Sequence, residues 1–241
     1  MTFQAFVIAP IVLLSALVSA QAPDAADKQA QVAAIKQSLA QNQTTLKQYT
    51  WVETTQVSMK GEVKKEEQKQ CFYGADGKVQ KTPLSGAAPP KKEQSQEGGG
   101  RRGGRVKKNI VENKVEDLKD YLEKVAALVK DYVPPDPQNI QAAQAAGNVS
   151  VQPGAQGVVT LTIKNYLKMG DSLALGFDTA AKKMSSYNVN SYVEKPKDDV
   201  VTLAVTFGRL DDGTSYPQQV VLDAKAKNVQ VKITNAGYKK T

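Results

Sequence analysis

The chain has 241 residues, with 32 Lys and Arg against 24 Asp and Glu, no histidine and one cysteine, Cys71. The missing histidine excludes a zinc site of ordinary type and any Ser-His or Cys-His nucleophile, and a lone cysteine excludes an intramolecular disulfide framework. An enzyme would have to work with Asp, Glu, Lys or Tyr alone, so the composition points to a protein that is not an enzyme and takes no cofactor or metal.

The first twenty residues, MTFQAFVIAPIVLLSALVSA, carry no charged side chain and centre on Val12, Leu13, Leu14, Leu17 and Val18. Val18-Ser19-Ala20 suits a signal peptidase, so residues 1–20 read as a secretory signal cleaved after Ala20. The chain is then periplasmic or secreted, and residues 21–241 form one domain. An uncleaved anchor is the competing reading, but Pro10 interrupts a run already short for a membrane span.

Val32, Ile35, Leu39, Leu46 and Tyr49 follow helical spacing, with Asn42 at the missing step and Asp24 as a candidate N-cap. The period then becomes two. Tyr49, Trp51, Thr55, Val57 and Met59 share one side of a strand, and Lys60-Gly61 turns it. EVKKEEQKQCFY is a polar strand with Val63, Cys71 and Tyr73 on one face. GADG at 74–77 makes a hairpin into KVQKTPL.

Residues 85–107 are expected to be a disordered basic loop. From Ser85 to Gly104 nothing apolar is larger than Ala apart from Pro89 and Pro90, which is too little to offset the entropy of ordering. Lys91, Lys92, Arg101, Arg102, Arg105, Lys107 and Lys108 are opposed only by Glu93 and Glu97. The stretch has no aromatic residue, and export removes the chain from nucleic acid, so no nucleic-acid partner is expected. These seven residues are candidates for contact with an anionic membrane surface or acidic polysaccharide. A solvated linker without a partner is the plainer reading.

Val111, Val115, Leu118, Leu122, Val125, Val129 and Tyr132 form one stripe on a helix over 108–132, about 37 Å long. Pro134 and Pro135 end it, and a short helix over 137–146 ends at Gly147. Six strands follow, with apolar residues alternating around 159–163, 173–177, 187–193, 201–207, 220–222 and 229–233. The fold class expected is therefore α+β: a curved antiparallel sheet of about nine strands, with amphipathic helices across its apolar face.

This order of parts resembles the LolA/LolB-type lipoprotein carriers and the related N-terminal domain of RseB-type envelope sensors. The closing segment is most similar, with Gly213, Pro217, Val220, Leu222, Val231, Ile233, Tyr238 and Lys239 matching the family's pattern of turn, strand, turn and last strand. The resemblance implies a half-barrel whose concave face holds the helices, with a lipid or lipoprotein acyl chain between them. The basic segment departs from the family, and no residue matches the strand arginine that the carriers use for handover.

The candidate cavity residues are Trp51, Val57, Leu122, Val125, Leu161, Leu175, Leu203 and Val205. They line an acyl-chain cavity if it is open, and are ordinary core if it is filled. The alternative function is an envelope interaction or sensor module with a filled core; a monomer is expected. Cys71 reads as a half-buried thiol without a role. Asp198, Asp199, Asp211 and Asp212 read as turn residues rather than catalytic carboxylates. Asn42 and Asn148 each begin a short glycosylation-type triplet.

Overall fold

The computed structural model describes residues 37–84 and 104–241. Helix α1 covers 37–46. Strands β1 (Tyr49–Met59), β2 (Glu62–Tyr73) and β3 (Val79–Pro83) follow, then helices α2 (Gly104–Tyr132) and α3 (Pro137–Ala145). The remaining strands are β4 (Val149–Pro153), β5 (Val158–Lys164), β6 (Ser172–Asp178), β7 (Lys183–Tyr192), β8 (Val200–Arg209), β9 (Ser215–Ala224) and β10 (Val229–Lys240). All ten lie in one open antiparallel sheet, ordered β3-β2-β1-β10-β9-β8-β7-β6-β5-β4. The fold is α+β, as the alternation predicts.

The C-terminal strand joins the two meanders. β10 lies between β9 and β1, with Glu53 opposite Asn235 and Val57 opposite Val231. Paired residues point to the same side of a sheet, so the apolar sides of the two halves form one continuous face. Val201, Leu203 and Val205 are buried on that face, while Ala204 and Thr206 are exposed on the other. Tyr121, Val125 and Tyr132 of α2, and Ile140 and Ala143 of α3, belong to the same buried cluster as these strand residues.

Several expectations need correction. β4 is a tenth strand, absent from the predicted six; its few apolar residues sit on a mostly exposed edge. Tyr49 begins β1 and does not continue the stripe of α1. The predicted loop over 85–107 ends too late, because α2 starts at Gly104 and places Arg105, Lys107 and Lys108 in its first turns. Lys91, Lys92, Arg101 and Arg102, together with the signal segment, Val32, Ile35 and Asp24, lie outside the described residues. Val63 does not share the burial of Cys71: it is 55% exposed, beside a register shift between Val57 and Ser58. Among the described side chains of α2 the fully buried positions are Val125 and Tyr132, with Tyr121 buried beside the predicted stripe and Leu118, Leu122 and Val129 only partly buried; the side chains of Val111 and Val115 lie outside the described ones.

One buried carboxylate fixes the C-terminal end of α2 to the sheet. Asp171 accepts hydrogen bonds from the backbone N–H groups of Tyr166, Leu167 and Lys168 and from the Tyr132 hydroxyl. The Tyr132 hydroxyl also lies 2.8 Å from Ser191 Oγ, and the Tyr187 hydroxyl donates to the Tyr132 carbonyl. Burial first, and then the bond to Asp171, raises the Tyr132 pKa. The phenol therefore stays protonated and keeps donating well above neutral pH.

Candidate functional site

The other end of the same face is built differently. β1 and β10 change register between Thr50 and Val52: Thr50 pairs with Lys239 and Val52 with Ala236. Gly237 and Tyr238 thus stand opposite Trp51 alone, a β-bulge in which Gly237 takes φ +65°. The extra residue brings the Tyr238 ring parallel to Trp51, with centroids 5.5 Å apart and planes 9° from parallel. Tyr73 packs on Trp51 at 5.5 Å, and Tyr216 on Tyr238 at 4.4 Å. Tyr216 in turn covers Gly208, where a Cβ would lie 2.8 Å from its ring.

Beneath these rings is a pocket with about 30 Å³ open to water-sized molecules, between Leu46 of α1 and Trp51, Tyr73, Val79, Ile233 and Tyr238 of the sheet. Its polar wall is Glu53 and Asn235. Trp51 Nε1 donates to Asn235 Oδ1 at 3.1 Å, and Asn235 Nδ2 donates to the Pro217 carbonyl at 2.7 Å. The Asn235 amide is thus used to hold the indole in place. Glu53 is buried, and Lys81 Nζ lies 2.6 Å from each of its carboxylate oxygens. Lys81 reaches from β3 across the position of Cys71, its own strand partner.

Helix α1 reaches this pocket through Leu46. Leu46 is buried, and Asn42 faces the sheet, where its amide takes both backbone groups of Ser215 in β9: Nδ2 donates to the carbonyl at 2.8 Å and Oδ1 accepts from the N–H at 2.7 Å. The gap in the apolar stripe of α1 is therefore a polar latch. Farther along, Ser38 Oγ donates to the Lys182 carbonyl at 3.1 Å.

Of the eight candidate cavity residues, Trp51 lines this pocket. Val125, Leu161, Leu175, Leu203 and Val205 are buried in the main cluster, with Val57 and Leu122 packed against it. The fold thus places Trp51 in the lining of this pocket and the other seven in or against the main cluster. Cys71 is fully buried, not half-buried as expected. Its pKa is pushed up to about 11, chiefly by burial and then by Glu53, so it is not poised as a nucleophile. Asp212 is a turn residue that accepts from Thr214 N–H and from the Tyr49 hydroxyl at 2.6 Å. The Thr214 side chain, then Tyr49, holds its pKa down to about 2. Asn42, Glu53, Lys81 and Asn235 are polar site residues that the sequence reading did not identify, and Leu46, Tyr73, Val79 and Tyr238 are lining residues that it did not assign to the cavity.

Comparison with family models, curated proteins and solved structures finds no match for this chain.

Proposed function

We propose that the chain is an exported, monomeric, non-enzymatic binder of lipid or lipoprotein acyl chains, and that the chain enters beneath α1 at the Trp51 end of the sheet. The reading takes the sheet as a curved half-barrel with the helices on its concave face, a shape that strand twist favours over ten strands. One contrast carries it. The α2 end is bolted down by Asp171, Tyr132, Ser191 and Tyr187 around a buried apolar cluster, whereas the Trp51 pocket is capped by α1 through Leu46 and the Asn42 latch. Ligand pockets enclose roughly 300–1,000 Å³. A pocket of about 30 Å³ must therefore grow to take a chain. α1 is the separable part: lifting it breaks the two Asn42 bonds and the Ser38 bond to the Lys182 carbonyl, and exposes Leu46, Trp51, Val79 and Ile233 to an apolar ligand. No bond chemistry is involved; the ligand is held by exclusion of water from its methylene groups.

A second reading, an envelope interaction module with a filled core, draws support from Leu161, Leu175, Leu203 and Val205, none more than 5% exposed. A fatty acid carrying an environment-sensitive fluorophore separates the two. Wild type should take it up. Val79→Phe, which adds a ring at the partly buried pocket wall, should weaken uptake about tenfold or more, a change of at least ~1.4 kcal/mol. Asn42→Ala should speed uptake by freeing α1. No uptake by wild type would leave the filled-core module as the better reading.

A further inference from the structure

The turn between β5 and β6 is built inside out. In Asn165–Gly170 the polar groups are engaged toward the protein and two large apolar side chains face water. Asp171 accepts from the N–H groups of Tyr166, Leu167 and Lys168, and Asn165 Oδ1 accepts from Gly170 N–H at 2.8 Å. The Tyr166 hydroxyl accepts from Asp136 N–H at 2.6 Å. The Lys168 ammonium turns back to the carbonyls of Tyr192 and Val193 and lies 4.3 Å from the centre of the Tyr192 ring. The Tyr192 hydroxyl donates to the Met169 carbonyl at 2.9 Å. Positive φ at Asn165 (51°) and Gly170 (85°) closes the turn. Held this way, Leu167 is 36% exposed and Met169 is 83% exposed. A turn needing only to connect two strands would carry polar residues at these positions.

We propose that this tip docks the protein on a lipid bilayer, with Leu167 and Met169 entering the acyl boundary and Tyr192 at head-group level. A fixed turn presenting two apolar side chains matches a fluid apolar layer, which needs no shaped pocket. A protein partner would have to supply one. Tyr192 beside the insertion suits the interface, since it combines an apolar ring with a polar end, while Lys168, turned onto the Tyr192 and Val193 carbonyls, holds the turn in place. The drive is apolar more than electrostatic. On the neighbouring turn Lys195 and Lys197 are offset by Asp198 and Asp199, and Glu194 is paired with Lys124 at 2.6 Å. Docking should therefore be weak, reversible and little affected by salt, whereas adsorption through the basic residues between Lys91 and Lys108 would be lost in high salt. The inference does not rest on an acyl chain being bound.

The test is flotation of the mature chain with vesicles of phosphatidylethanolamine and phosphatidylglycerol, in low and high salt. Wild type should float in both. The double variant Leu167→Ser, Met169→Ser should partition about tenfold less or worse, since it removes both apolar side chains that enter the acyl boundary. Both changes are at exposed positions, so the thermal midpoint should not move and a folding defect is excluded directly. A Met169→Trp variant should show a blue-shifted emission component on vesicle addition that is absent from wild type. Equal flotation of wild type and the double variant, flotation lost in high salt, or no flotation of wild type would each overturn the proposal. Saturable binding of wild type to a purified envelope protein, with no vesicle binding, would assign the tip to a protein groove instead.

Discussion

Asp171→Ala should lower folding stability by at least about 4 kcal/mol. The carboxylate serves three backbone N–H groups and the Tyr132 hydroxyl within a site that is 2% exposed. Removing it leaves several buried donors without an acceptor, and each such group costs about 1–3 kcal/mol. Asp171→Asn keeps one oxygen but presents an NH₂ group to donors, so it should recover only part of the loss. Tyr132→Phe should cost less, about 1–3 kcal/mol, because Asp171 would keep its backbone partners. Urea denaturation of the three variants gives the order directly. A loss below about 1 kcal/mol for Asp171→Ala would mean that α2 is not anchored through this carboxylate.

Lys81→Met should be nearly as damaging. Glu53 is buried, and Lys81, with a side chain 16% exposed, faces both of its oxygens. Deleting one partner of a buried pair leaves an uncompensated charge and costs about 3–5 kcal/mol. The double variant Glu53→Leu, Lys81→Met should regain most of that stability, since apolar replacement of a whole buried pair is often neutral or stabilising. Because Glu53 lines the pocket, the double variant also offers a more apolar wall and should keep or improve uptake of an acyl probe. Failure of the double variant to recover would mean that the pair is tied to further polar partners.

Elements with a strong period were legible from the sequence. The alternation of Val201, Leu203 and Val205 marks β8, and the spacing of Leu118, Leu122, Val125 and Tyr132 marks α2. Adjacency was not legible: nothing local in β10 says that it lies against β1, because cross-strand pairing involves residues nearly two hundred positions apart. Polar residues inside the fold were not legible in the sequence for a physical reason. Asp171 stands in a Lys-Met-Gly-Asp run, where aspartate is expected as a turn former, and only the closed loop shows that its carboxylate faces inward. Two signals were present. Asn42 interrupts the apolar stripe of α1, and Glu53 occupies the inward side of β1 between Trp51 and Thr55. A polar residue at an apolar step of a period marks a partnered group turned toward the fold: Glu53 is buried against Lys81, and Asn42 is part-buried against Ser215. β4 left little trace because a short, mostly exposed edge strand needs few apolar residues.

Trp51 is the sole tryptophan of the chain, and it lines the pocket together with Leu46 of α1. Bromine on an acyl chain quenches indole fluorescence only near contact. A titration with a fatty acid brominated along its chain therefore asks whether an apolar ligand reaches this end of the sheet. Saturable quenching of Trp51 is expected, with the unbrominated acid competing it away and Val79→Phe shifting the titration to about tenfold higher acid or more. Uptake of the acid with Trp51 emission unchanged would contradict entry beneath α1, and the absence of any uptake would contradict acyl-chain binding itself.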